Sequence, residues 1–142
     1  MEKLSVVSAG RSVKDFLGEW TVKRVVLDRT SMGRVFFEGS VTIDRDRFDE
    51  RGEGLFNGYR SSAIRIYRLQ SSPGRAIVLF PDGREFIRLD ERPVQTVLHH
   101  CGADTYRGRF FFLSAVAWIE TWQVIGPRKN YRSVTRYQRP QK

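Results

Sequence analysis

From Glu19 to Arg139 the chain breaks every eight to twelve residues at a turn signal, and between the signals it is rich in β-branched and aromatic residues. That punctuation leaves little room for helices. Asn57-Gly58 is the strongest hairpin dipeptide. In Pro81-Asp82-Gly83, proline presets one dihedral and glycine accepts a positive one. Ser71-Ser72-Pro73-Gly74 and the charged run Asp44–Arg47 mark two more reversals. Strands are expected over 20–27, 35–43, 48–56, 59–69, 75–80, 85–89, 95–101, 106–115, 117–125 and 131–139. The pattern predicts an all-β domain, a closed antiparallel β-barrel of about nine or ten strands.

The only helix predicted is short. Ser12 can cap a turn whose third position is Asp15, Phe16 and Leu17 then pack inward, and Gly18 ends it. Residues 1–10 read as a loose arm, and 11–142 as one barrel domain. A chain of 142 residues suits a single core.

A barrel, rather than a sandwich, follows from mixed faces. Period two places Trp118, Glu120, Trp122 and Val124 on one side of their strand. It does the same for Tyr59, Ser61, Ala63, Arg65 and Tyr67, and for Tyr131, Ser133, Thr135 and Tyr137. Rings interspersed with hydroxyls and a few charges suit the wall of a small-molecule pocket. They suit a dry core less well, because unpaired buried polar groups are costly.

The formal net charge is +9, with arginine outnumbering lysine twenty to five. The arginines are dispersed, and no basic block exceeds Arg128-Lys129. Dispersal argues against nucleic acid, whose binding needs a concentrated cationic footprint. No apolar run approaches a membrane span, and the N-terminus lacks the apolar stretch of a signal peptide. With one cysteine, Cys101, no intrachain disulfide can form. A cytoplasmic protein is expected.

Gly18-Glu19-Trp20 is similar to the Gly-x-Trp that opens lipocalin and fatty-acid-binding (calycin) barrels. The resemblance implies that Trp20 closes one barrel end beneath a basic side chain of the last strand, Arg136 ahead of Arg139. A longer likeness runs from Phe16 to Arg139. It takes in Phe16–Trp20, Phe80 with Asp82-Gly83-Arg84, His99-x-Cys101-x-x-Asp104-x-Tyr106-x-Gly108, Trp122-x-Val124-x-Gly126-Pro127-Arg128-Lys129-x-Tyr131 and Thr135-x-Tyr137. This pattern resembles an uncharacterised family of single-domain microbial proteins with a calycin-like barrel. It implies a fold and no activity.

His99-His100-Cys101 is the densest reactive cluster. Only His99 and Cys101 share a face, too few ligands for zinc, so no metal and no cofactor is expected. Co-facial residues on a strand lie about 7 Å apart, too far for direct proton transfer between that pair. The leading expectation is non-catalytic binding of a small, partly apolar, anionic molecule. Tyr67, Tyr106, Trp118, Trp122 and Tyr131 would supply stacking area, and Arg65, His99 and Arg128 would fix polar groups, an inward Arg65 taking a ligand anion or Glu120 as its partner. The alternative is an isomerase-, cyclase- or lyase-like enzyme in which Glu120 and Tyr106 form the acid–base pair, assisted by His99. A third is a nucleic-acid module, or a homodimer presenting its arginines to a partner.

Overall fold

A computed structural model describes residues 13–141. The arm expected over 1–10 and the cap at Ser12 lie outside the described residues. The predicted helix is a single 3-10 turn, Val13–Phe16. Ten strands follow: β1 Gly18–Asp28, β2 Gly33–Asp44, β3 Arg47–Phe56, β4 Tyr59–Ser72, β5 Arg75–Leu79, β6 Glu85–Asp90, β7 Val94–Cys101, β8 Asp104–Ser114, β9 Ala117–Ile125 and β10 Asn130–Gln138. No described helix is long and apolar enough to cross a membrane.

All ten strands join one antiparallel sheet in the order β6-β5-β4-β3-β2-β1-β10-β9-β8-β7. Pairing of β1 with β10 curls the meander into a barrel. Asn57 and Gly58 have φ of 51° and 81°, the two positive values that a tight hairpin with the twist of its strands demands.

One seam lacks a ladder. β6 and β7 follow each other in the chain yet are the two edges of the sheet. At the end where they are joined, the side chain of Gln95 stands in for a neighbouring strand. Its Oε1 accepts from the Asp90 N–H at 2.8 Å, and its Nε2 donates to the carbonyls of Asp90 at 2.9 Å and Arg92 at 2.8 Å. Gln95 is only 4% exposed, so these bonds are made away from water, where a missing partner would be costly. Further along the seam, β6 and β7 meet through rings, Phe86 against His99 at 5.2 Å.

The floor of the barrel is aromatic. Trp20 is buried, contacts Trp118 edge-on at 4.5 Å and donates its indole N–H to the Phe16 carbonyl at 2.9 Å. The short turn is thus fastened beneath the barrel. Trp118 in turn stacks on Tyr137 at 4.2 Å. The cation over Trp20 is Arg139, with its Cζ 4.1 Å from the ring centroid, and not the Arg136 favoured by the sequence. Within β10 the side chains alternate, and Arg136 falls on the outer phase beside Lys23. Arg139 lies past the last laddered residue, where it turns under the barrel and donates to the carbonyls of Glu19 and Asp15.

Candidate binding site: two chambers and a charged cluster

Three rings cross the barrel interior. Tyr67 of β4 stacks on Phe86 of β6 at 5.4 Å and 17°, and Phe86 stacks on Trp122 of β9 at 5.4 Å and 15°. Trp122 reaches this position because Gly108 lies opposite it on β8. A Cβ on Gly108 would sit 2.7 Å from the indole, so glycine alone leaves the ring its place.

The stack divides the interior. On the floor side is an apolar chamber of about 130 Å³, walled by Ile43, Leu69, Val78, Phe110, Phe112 and Trp118 among others. On the mouth side is a larger chamber of about 440 Å³, bounded by Arg24, Arg65, Arg84, His99, Tyr106, Tyr131 and Ser133. Arg65, Tyr67, Phe86 and Trp122 border both.

Of the polar centre, the sequence reading anticipates Arg65 and none of its partners. Glu50, on the inner phase of β3 and 2% exposed, takes two guanidinium groups. Arg24 bonds it through Nη1 at 3.0 Å and Nη2 at 2.7 Å, and extends its Nε to Thr135 at 2.7 Å. Arg65 approaches the same carboxylate through Nη2 at 3.4 Å. The Tyr137 hydroxyl accepts from Nη2 of both arginines, at 3.1 and 3.2 Å, and donates to Glu50 at 3.3 Å. Burial alone would raise the Glu50 carboxyl, but the Arg24 hydrogen bond and the charges of Arg65 and Arg24 outweigh it and hold the group below the usual carboxylate range. Burial pushes the Tyr137 phenol well up and raises those of Tyr67 and Tyr131, so these hydroxyls stay protonated.

Two guanidiniums share the Glu50 carboxylate, and Glu120 adds a second negative charge that acts on Arg65 from further off. Of the two arginines, Arg65 is the more loosely held. Its Nε lies 3.2 Å from Glu50 Oε2 but is misaligned, and it is a buried donor with no hydrogen-bond partner. Its Nη1 makes no hydrogen bond to any described residue. The side chain is 36% open although it lies inside the barrel, because it faces the chambers rather than the outer surface.

Several residues named from the sequence meet here: Arg65, Tyr67, His99, Tyr106, Trp122 and Tyr131 all border the mouth-side chamber. His99 packs edge-on against Phe80 and Phe86. Trp118 and Glu120 border the floor-side chamber instead. Glu120 is not the partner of Arg65. Its two oxygens accept the indole N–H groups of Trp118 at 3.1 Å and Trp122 at 3.0 Å, and Glu50 takes the arginine.

The acid–base pair of Glu120 with Tyr106 does not form either. Tyr106 accepts from Lys129 Nζ at 2.8 Å, and that lysine also pairs with Asp104 at 3.1 Å. These two contacts hold the Lys129 ammonium above its ordinary value. Arg128 is exposed in the β9–β10 hairpin and borders neither chamber, so the cation folded back toward the mouth is its neighbour. On β4 the inner face begins only at Arg65, with Tyr59, Ser61 and Ala63 exposed. Cys101 is exposed at the chamber rim. Among the described residues no group of three or more His, Cys, Asp or Glu is placed to hold a metal ion.

Sequence reasoning missed Arg24, Glu50, Phe80, Arg84 and Phe86. A signal existed for two of them. Arg24 shares the inner phase of Trp20 and Val22, and Glu50 that of Phe48.

These features define a class of protein: a single-sheet antiparallel barrel with an occupiable interior. Within it, the chain belongs to a family of unknown function, DUF6314, whose profile matches residues 16–139. No curated protein matches it in sequence. In fold it is similar to the S-type phycobiliprotein lyase CpeS of Guillardia theta, with a TM-score of 0.57 and 10% identity over 92% of this chain and 91% of the other. It is also similar to a DUF3598-family protein of unknown function from Nostoc punctiforme, with a TM-score of 0.59 and 11% identity over 93% of this chain and 50% of the other.

Proposed function

We propose that the barrel is a binding protein for a small, planar, partly apolar monoanion held without covalent chemistry in the mouth-side chamber. The observation that carries this is the Arg65 guanidinium, open in part toward the chambers and unbonded at Nη1, beside the Tyr67–Phe86–Trp122 stack. An anionic oxygen at Nη1 would gain a charge-assisted hydrogen bond. The rings beneath offer a flat apolar surface to the rest of the molecule, and protonated Tyr131 adds a donor on the wall.

Titration with anilinonaphthalene sulfonate, an aromatic monoanion, against the uncharged N-phenylnaphthylamine tests the reading by fluorescence. Wild-type protein should prefer the sulfonate. Arg65→Met should lower sulfonate affinity about tenfold to a hundredfold, the worth of a charge-assisted hydrogen bond, and leave the neutral dye unaffected. Trp122→Ala should weaken both. Equal affinity of wild-type and folded Arg65→Met protein for the sulfonate would overturn the reading.

A further inference from the structure

The excess positive charge is not spread evenly over the outside. Around β3 to β6 most exposed arginines come with acids, Arg68 and Arg75 excepted. Arg47 and Arg51 flank Asp49, Arg60 reaches Glu53, and Arg88 is held by Glu85. The turns beside β6 follow suit, with Arg84 on Asp82 and Arg92 on Asp90. The outer face running from β8 through β9, β10 and β1 to β2 is different. Arg107, Arg109, Arg132, Arg136, Lys23 and Arg34 are all exposed there, and none makes an ion pair with a described residue. The acids there are Glu38, in register with Lys23, and Glu19, on the outer phase of β1.

Apolar side chains are interleaved with these cations. Following the register from β7 to β2, one row reads Leu98, Arg107, Gln123, Arg132, Leu27, Arg34. The next reads Thr96, Arg109, Thr121, Val134, Val25, Phe36. Leu98 is 51% exposed, Val134 52%, Leu27 45%, Phe36 44% and Val25 36%.

We propose that this outer face docks an acidic protein surface with an apolar centre. A second copy of the chain would set cations against cations, and like charges brought face to face repel. Phosphates of a nucleic acid would satisfy the arginines but leave the aliphatic groups in water, with no gain from their burial. A protein carrying carboxylates around leucine-like side chains satisfies both. Such surfaces favour arginine over lysine, as this one does. The proposal concerns the outer wall and is independent of what the chambers hold.

The test uses methyl-detected nuclear magnetic resonance on the full chain with three probes. One is a helical peptide bearing leucines flanked by glutamates on one face. The second is an all-glutamate peptide of the same length, and the third is single-stranded DNA of the same charge. The leucine–glutamate peptide should shift the methyls of Val25, Leu27, Leu98 and Val134 saturably, with about tenfold higher affinity than the other two. Arg107→Gln with Arg132→Gln should weaken it about tenfold, and Arg47→Gln with Arg60→Gln should leave it unchanged. All four positions are exposed, so the barrel remains folded. Equal binding of the DNA or the all-glutamate peptide overturns the proposal, as do shifts confined to β3–β6 or self-association through this face.

Discussion

At the scale of the residue, Glu50 organises the site. It is a buried carboxylate that draws Arg24, Arg65 and Tyr137 to one point. Removing its charge strands two buried cations. Glu50→Gln should therefore cost about 3–5 kcal/mol in urea unfolding at neutral pH. The sign of its pH dependence follows from its depressed native value. Its contribution is fully present above the unfolded carboxyl value of about 4.3 and is lost as pH falls through the lower native one. Wild-type stability should drop as pH falls below about 4, and the Glu50→Gln profile should be flatter over that window. Arg24 and Glu50 were legible in principle, by counting twos from Trp20 and Phe48. They were overlooked because charged side chains are rarely interior unless paired, and the partner sits on a distant strand that no local pattern reveals. Arg65, Tyr67, Trp122 and Tyr131 were readable because rings alternate around them. Arg139 could only be ranked behind Arg136, because it acts beyond the last strand, where alternation stops.

At the scale of the element, the ten strands were legible because each hairpin carries its own turn chemistry, as at Asn57-Gly58. The seam was not. Nothing local separates two consecutive strands that pair from two that do not, and Gln95 looks like any polar residue at a strand start. Its amide makes both bonds that Asp90 would have exchanged with a neighbouring strand. Gln95→Ala should leave those groups unsatisfied and cost about 1–3 kcal/mol. Hydrogen exchange should report the loss locally, with the Asp90 amide and its neighbours in β6 and β7 exchanging faster while β1 and β10 keep their protection. Unchanged exchange at Asp90 would show that the seam is held by something other than this amide.

At the scale of the whole molecule, the barrel was readable and its interior division was not, since the stack joins strands β4, β6 and β9 that lie far apart in the chain. An occupant of the mouth-side chamber bridges those strands and should stabilise the entire fold. At a sulfonate dye concentration of one hundred times Kd, linkage gives about 2.7 kcal/mol, visible as a rise in Tm. Arg65→Met should keep only about 0.4–1.4 kcal/mol of that rise at the same dye concentration, because Arg65 is where the anion is held.

A ring fastened by an amide at one end and by touching aromatics at the other behaves as a clasp rather than a weld. Phe86 and His99 can part without breaking any backbone ladder, whereas widening the barrel anywhere else must tear one. The seam is therefore the stretch of wall that can widen at the least cost in backbone hydrogen bonds.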